Sequence, residues 1–80
     1  RYPKESKKLK QEGTSYLKFT INKSGNITQS LIKKSSGYSL LDESTLNILK
    51  RAKYFPRFER SIKQQEITLV IPIEYTLIDH

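Results

Sequence analysis

Few side chains in this sequence could catalyse a reaction or bind a metal ion. The only histidine, His80, is the last residue, where chain ends are poorly ordered, and no cysteine is present. The sequence therefore lacks the parts of a nucleophile–base pair and of an imidazole or thiolate metal site. Asp42 and Glu43 fall in the first turn of a predicted helix, where capping and the helix macrodipole explain acidic residues. We predict no catalytic, cofactor-binding or metal-binding residues and expect the protein not to be an enzyme.

Backbone hydrogen bonding along one long strand is the chemistry that the sequence does offer. Between residues 66 and 78, every odd position from Ile67 to Leu77 is apolar, with Thr68 and Glu74 among the residues between them. This period of two predicts a β-strand with one buried face. Pro72 has no N–H to donate, so the strand must lie at a sheet edge or contain a bulge. A long apolar edge strand is a liability unless something pairs with it. We therefore predict a domain that recognises an extended peptide or partner strand.

The composition is typical of one small globular domain spanning residues 1–80. Hydrophobic residues make up 35% of the chain and charged residues 29%, and no apolar run approaches the roughly 20 residues of a membrane span. The lysines and arginines behind the net charge of +7 are spread along the chain. We interpret them as solvated faces, with a functional basic patch as the alternative. Because the sequence opens on Arg1 rather than Met, we expect a fragment of a longer protein.

The first half of the chain predicts a short helix and a hairpin. After Tyr2-Pro3, residues 4–11 favour an exposed helix, with Gly13 available as its left-handed C-cap. Alternation predicts a strand over residues 15–21, and Gly25 supplies the positive φ of the turn. The return strand runs from residue 26 to about 34. Strict alternation would turn Leu31 inward, whereas a bulge would turn Ile32 inward instead.

The second half predicts a helix followed by the long strand. Ser39 as N-cap and Asp42 at the third helical position fit a capping box. Apolar spacing carries the helix to about Lys53, and Pro56 ends it near an aromatic cluster of Tyr54, Phe55 and Phe58.

These elements give an α+β fold with the order α-β-β-α-β. A right-handed crossover places the last strand beside the first, in an antiparallel three-stranded sheet of order 2-1-3 with both helices on one face. The last strand then lies at an edge, as Pro72 independently requires. Two separate arguments thus predict the same exposed strand.

At this point the chain resembles the TonB C-terminal domain family over nearly all of its 80 residues. The motifs that carry the resemblance occur in the family order. They are Tyr2-Pro3, Glu12-Gly13-Thr14, Phe19-Thr20-Ile21, Gly25-Asn26-Ile27, Ser35-Ser36-Gly37, Leu40-Leu41-Asp42, Tyr54-Phe55-Pro56, and Val70-Ile71-Pro72-Ile73 with Tyr75. Two positions depart from the family pattern: Ala52 stands where the family often has Trp, and Arg1 where it often has Gln.

The resemblance implies a periplasmic domain of a protein anchored in the inner membrane of a Gram-negative bacterium. It implies an N-terminal anchor and a proline-rich spacer upstream of Arg1, with the anchor bound to the ExbB–ExbD complex. The domain would bind the TonB box of outer-membrane transporters by β-augmentation on its last strand. Energy from the proton-motive force would then drive uptake of siderophores, haem, cobalamin or metal.

The predicted partner-binding residues lie at the two ends of the chain. If Pro72 points its missing donor outward, then Val70, Glu74 and Thr76 present free backbone groups, and Ile71, Ile73 and Tyr75 face the helices as core. The resemblance also places Arg1, Tyr2 and Pro3 near the transporter contact. The full set is Arg1, Tyr2, Pro3, Leu69, Val70, Ile71, Pro72, Ile73, Glu74, Tyr75, Thr76 and Leu77.

Two alternative functions remain at this stage, together with an open question about the oligomeric state. A TolA-like envelope adaptor would bind Tol-system, colicin or phage partners, although the usual TolA disulfide is absent because the chain has no cysteine. A basic nucleic-acid module would use Tyr16 and Lys18 on the first strand, but the second strand adds no stacking aromatic, and we expect no nucleic-acid partner. Exchange of the exposed last strand between two copies would give a homodimer.

Overall fold

The computed structural model describes residues 2–51 and 65–77. The elements occur in the predicted order: helix α1 (Lys4–Lys8), strands β1 (Gly13–Asn22) and β2 (Ile27–Lys34), helix α2 (Ser39–Arg51), and strand β3 (Glu66–Tyr75). The strands form one antiparallel sheet in the order β2-β1-β3. This confirms the predicted order 2-1-3.

Some sequence predictions fall outside the described residues. They are the last helical positions to Lys53, the stop at Pro56, the aromatic cluster of Tyr54, Phe55 and Phe58, and the position of His80. Within the described ranges, no helix is both long enough and apolar enough to cross a membrane.

The core lies between β1 and α2. Leu17, Phe19 and Ile21 alternate on the inner face of β1 and are buried together with Leu49 of α2. Partly buried apolar residues from β2 and α2 complete the cluster: Ile27, Ile32 and Leu46. Burying each large side chain stabilises the fold by roughly 1.5–3 kcal/mol before cavity effects. Since α2 packs over β1 and β2, these two strands are covered on that side of the sheet.

Two bulges resolve the open question about β2. The β1–β2 register shifts between Tyr16 and Leu17 and again between Thr20 and Ile21. Ile32 therefore pairs with buried Leu17 on the helix face, while Leu31 pairs with Lys18 and is exposed. The bulge alternative is confirmed, because strict alternation would have exposed Ile32 and buried Leu31.

The predicted end of the first helix is wrong. Lys10, not Gly13, takes the left-handed conformation, with φ of 54°. The Gln11 N–H donates to the Ser6 carbonyl and the Lys10 N–H to the Lys7 carbonyl, which is the bonding of a Schellman cap. Gly13 is instead the first residue of β1, where a Cβ atom would lie 2.5 Å from the Ser36 carbonyl oxygen. Close packing, rather than a turn, requires glycine there.

The capping box predicted at the second helix is also wrong. Ser39 is already the first residue of α2, and the Asp42 N–H donates to the Tyr38 carbonyl. The Asp42 carboxylate turns away from the helix end towards serines of β1 and of the preceding loop. These tertiary donors replace the local cap because they lie close to the same carboxylate. The turn of the hairpin, by contrast, is confirmed, since Gly25 has φ of 86°.

Candidate functional site

Strand β3 is an edge of the sheet with an uninterrupted ladder on its inner side. It pairs with β1 from Gly13 opposite Tyr75 to Asn22 opposite Glu66, with no shift in register. In the described parts of the chain, no strand pairs with its outer side. Ten residues of regular, extended backbone thus form one edge of the sheet in the part of the chain that the structure describes.

Pro72 determines which backbone groups point outward. It lies opposite Tyr16 in the middle of the ladder, without disturbing the register. Opposed residues in an antiparallel pair alternate between hydrogen-bonded and non-bonded pairs. A residue without an N–H fits only a non-bonded pair, so the backbone groups of Pro72 face away from β1. By the same alternation, Val70 and Glu74 also direct their N–H and C=O groups outward.

The side chains of β3 leave an apolar strip partly exposed. The exposed fractions are 40% for Leu69, 43% for Val70 and 39% for Ile71. Leu69 and Ile71 pair with buried Phe19 and Leu17, so they lie on the helix face. The predicted fully buried face is nevertheless wrong for these two residues. The physical reason is that α2 packs over β1 and β2, which leaves the inner face of β3 less covered.

The carboxyl end of β3 is held by Tyr75. Its side chain is buried, and its hydroxyl lies 3.0 Å from the Thr45 hydroxyl of α2. The Thr45 hydroxyl also lies 2.9 Å from the Leu41 carbonyl, to which it donates. The Tyr2 ring meets the Tyr75 ring edge to face, with centroids 5.3 Å apart. Tyr75 is therefore core, as predicted, and Ile73 beside it is half-buried.

The two residues that follow Tyr75 are less buried: Thr76 is exposed and Leu77 is half-buried. The Leu77 N–H donates to Glu12 Oε1 at 2.8 Å. The Thr76 hydroxyl donates to Glu74 Oε1 at 3.1 Å. The bond to Glu12 holds the chain close to the start of β1 as it leaves the sheet, whereas the bond to Glu74 is local to the end of β3.

Tyr2 and Pro3 lie beside α2, at the same end of β3. The Tyr2 hydroxyl donates to the Gln11 carbonyl, which ties the start of the chain to the end of the α1 segment. Burial, with a smaller effect of the Glu12 charge, raises the pKa of Tyr2 above its ordinary value. A groove of about 250 Å³ is lined by Tyr2, Pro3, Leu40, Glu43, Ser44, Asn47 and Arg51. The third predicted residue of this region, Arg1, lies outside the described residues.

Sequence reasoning missed the hydrogen-bonded cluster around Asp42. Its Oδ1 accepts from the Ser15 hydroxyl at 2.7 Å, the Ser36 N–H at 2.9 Å and the Ser36 hydroxyl at 2.8 Å, and its Oδ2 accepts from Ser35. Burial alone would raise the pKa of Asp42, but these hydrogen bonds outweigh it and lower the pKa to about 2. The cluster joins β1, the loop after β2 and α2. The sequence feature that could have indicated this cluster is the Ser35-Ser36 pair, whose hydroxyl groups come shortly before the acidic first turn of α2.

The described part of the chain contains no group of three or more histidine, cysteine, aspartate or glutamate side chains that could hold a metal ion. What the described residues offer instead is a backbone edge with which none of their strands pairs, and partly exposed apolar side chains beside it.

Comparison with known proteins places this architecture in a family. The family model described as "Gram-negative bacterial TonB protein C-terminal" matches residues 1–77. The chain belongs to the TonB C-terminal family. The resemblance read from the sequence motifs is thereby confirmed.

Individual TonB proteins agree with this assignment. The chain is 35% identical over 78 residues to "Protein TonB" of Helicobacter pylori strain 26695, and 33% identical to that of strain J99. Each match covers 96% of this chain but 26% of the relative, so the chain spans about a quarter of the curated relatives' length. It also matches the NMR solution structure of the H. pylori TonB C-terminal domain, with a TM-score of 0.79 and 33% identity. That match covers 100% of this chain and 71% of the other.

Proposed function

We propose that this TonB-family domain binds an extended peptide, the TonB box of outer-membrane transporters, by strand addition to the outer edge of β3. The observation that carries the proposal is the regular ten-residue edge with Pro72 at its centre. An incoming strand would bond to the outward groups of Val70, Glu74 and Pro72. Backbone pairing is tolerant of sequence, so one domain could serve several transporters.

The exposed side chains of β3 support the same site. A partner strand would place every second side chain beside Leu69 and Ile71 on the helix face, and cover apolar surface that is now about 40% exposed. Each buried Å² of apolar surface contributes roughly 25 cal/mol before the ordering of the peptide is subtracted. Apolar residues at alternate peptide positions are therefore favoured.

In this proposal the domain is the periplasmic end of an inner-membrane-anchored energy transducer. The anchor would bind the ExbB–ExbD complex, and force transmitted through β3 would drive uptake of siderophores, haem, cobalamin or metal. Tyr2 and Pro3 would add side-chain contacts in the groove beside α2. Without a bound peptide, exchange of the same edge between two copies would give a homodimer.

An NMR titration of the ¹⁵N-labelled 80-residue chain with a synthetic TonB-box peptide tests the proposal. We expect selective shifts from Leu69 to Leu77, new contacts across the edge, and little change along β2. A scrambled peptide of the same composition is the first control. Saturating peptide without change along β3 would contradict the site.

N-methylated peptides test whether the backbone carries the binding. Methyl groups on the peptide nitrogens that face β3 remove the donors of the new ladder, and we expect at least a tenfold loss of affinity from about 1.5 kcal/mol of lost hydrogen bonding. Methyl groups on the alternate nitrogens, which face solvent, form the matched control. Equal losses from the two peptides would show that side chains, not strand addition, carry the contact.

A further inference from the structure

Strand β3 carries charge of only one sign. Its ten residues include two glutamates, Glu66 and Glu74, and no lysine or arginine. The whole chain, by contrast, has 15 lysines and arginines against 8 aspartates and glutamates. Both glutamates are exposed, and they pair with uncharged residues of β1, Asn22 and Thr14. The strand proposed to receive the peptide is therefore locally acidic in a basic protein.

The two glutamates lie on the outer face of the sheet. Leu69 and Ile71 lie on the helix face, opposite buried residues of β1. Because successive side chains of a strand alternate between faces, Glu66 and Glu74 point to the other side. A peptide strand added beside β3 would place every second side chain on that same outer face, in line with these carboxylates.

Only Glu74 keeps its carboxylate beside the outer edge of β3. Glu66 Oε2 accepts from the Thr28 hydroxyl at 2.9 Å. Thr28 belongs to β2, on the far side of β1 from that edge, so the Glu66 side chain reaches inward across β1. Glu74 Oε1 accepts from the Thr76 hydroxyl of the same chain segment at 3.1 Å, and its Oε2 has no hydrogen-bond partner among the described residues.

The backbone also presents Glu74 to a partner. By the alternation that Pro72 sets, Glu74 directs its N–H and C=O groups outward, so a residue of an added strand would lie directly beside it. Opposite charges on side chains paired in this way attract, and like charges repel. The one lysine of β1, Lys18, lies opposite Val70, four residues or about 13 Å along β3 from Glu74. That separation exceeds the Debye length of about 8 Å at physiological ionic strength.

We propose that Glu74 makes the outer edge of β3 selective for a peptide with a lysine or arginine at the position beside it. The cationic group binds Glu74 Oε2 on the outer face, whereas an aspartate or glutamate at that position is repelled. Val70, which is 43% exposed on the same face, favours an apolar residue four positions away. This inference rests on the proposed strand addition, and it adds a side-chain preference to backbone bonding that tolerates many sequences.

A lysine scan of the peptide tests the selectivity. A single lysine is moved along a TonB-box peptide with blocked termini, in which all other charged residues are replaced by glutamine. We expect affinity for the 80-residue chain to be highest, by roughly threefold, at one lysine position, and this preference to weaken with added salt. A flat scan with amide shifts retained along β3 would overturn the role of Glu74 but not strand addition. No shift along β3 with any of the peptides would overturn both.

Glu74→Gln and Glu66→Gln form a matched pair of variants. Each removes one negative charge from the outer face of β3 and keeps an oxygen that can accept from the neighbouring threonine hydroxyl. We expect Glu74→Gln to abolish the preferred lysine position and Glu66→Gln to retain it. Thermal unfolding checks that both variants fold, as expected for exposed side chains. Equal loss of the preference in both would mean that the net charge of the strand, not Glu74, attracts the lysine.

Reversal of both charges tests direct contact. Glu74→Lys is titrated with the best lysine peptide and with the same peptide carrying glutamate at that position. We expect the original chain to prefer the lysine peptide by roughly fivefold and Glu74→Lys to prefer the glutamate peptide. The four affinities form a double-mutant cycle, which isolates the interaction between the two side chains. If the reversed pair does not regain affinity, the two side chains are not neighbours and the proposal fails.

Discussion

The sheet has two outer edges, β2 and β3, and each strand pairs with β1 on its inner side. Along β2 the register shifts twice, and two lysines, Lys33 and Lys34, lie at its end. Along β3 the ten-residue ladder has no shift. The helix layer also differs, because α2 covers the inward residues of β2 but leaves Leu69 and Ile71 partly exposed.

The difference shows how one small sheet can block one edge and leave the other open. Bulges and lysines are two of the devices by which proteins prevent unwanted strand pairing. Both are present on β2. On β3, Pro72 removes one outward donor but keeps the backbone extended, so a partner can still bond on either side of it. The open edge is therefore the candidate for specific strand addition.

The largest expected change in stability comes from proline substitutions on β3, which compare backbone N–H groups that face β1 with those that face outward. Ile71→Pro removes an N–H that bonds to β1 opposite Leu17, and we expect a loss of at least about 2 kcal/mol in unfolding free energy. Val70→Pro removes an outward N–H, and we expect a loss below about 1 kcal/mol together with weaker TonB-box binding. Urea unfolding measures both. Equal losses would mean that the alternation inferred from Pro72 is wrong.

A second pair of variants compares the covered and uncovered faces. Ile32→Ala on β2 removes a side chain packed against the core, and we expect a loss of about 2 kcal/mol. Ile71→Ala on β3 removes a side chain that is 39% exposed, so we expect about 1 kcal/mol. In peptide titrations the order should reverse, with only Ile71→Ala weakening binding. A greater stability loss from Ile71→Ala would show that β3 is as well covered as β2.

The Asp42 cluster stabilises the β2 side in a pH-dependent way. The pKa of Asp42 is lowered from 3.8 to about 2 in the folded state, so its contribution is complete at neutral pH and is lost as the pH falls from about 4 towards 2. After allowing for solvent screening, we expect Asp42→Asn to cost about 1–2 kcal/mol at pH 7. The difference from the original chain should shrink at pH 3, as measured by urea unfolding. A constant difference would show that the carboxylate charge is not involved.

The smallest effect concerns the anchor of β3. Tyr75→Phe removes the hydroxyl 3.0 Å from Thr45 Oγ1, and we expect a loss of about 1 kcal/mol, because Thr45 keeps its bond to the Leu41 carbonyl. Tyr16→Phe, on the outer face below Lys34, is the matched control and should change stability by less than about 0.5 kcal/mol. Thermal unfolding of both variants gives the comparison. If the two changes are equal, the Tyr75 hydroxyl does not anchor the strand.

Local sequence patterns predicted those elements whose conformation depends mainly on residues nearby in the chain. Period-two alternation predicted β1 and β3, and the hairpin turn required glycine at position 25, where φ is 86°. The sequence predicts the left-handed cap at Gly13, because glycine is the usual residue in that conformation. The chain adopts this conformation at Lys10 instead, where the Schellman bonds decide it.

Some features of the candidate site also follow from single residues, whereas others depend on how distant elements pack. Pro72 alone indicated an edge strand and the direction of its backbone groups, because a missing N–H is a property of the residue itself. The amount of apolar surface left on Leu69 and Ile71 depends on where α2 crosses the sheet, and no local pattern encodes that.

The sequence by itself determined the strand order, the edge position of β3 and the family, because alternation, proline chemistry and ordered motifs are all readable along the chain. Only the tertiary structure decided that Ile32 rather than Leu31 faces the core. It also decided that the Asp42 carboxylate accepts hydrogen bonds from three serines, instead of capping its own helix: Ser15, Ser35 and Ser36. Bulges and polar clusters depend on which distant groups come within bonding distance. That proximity exists only once the strands and α2 have packed together.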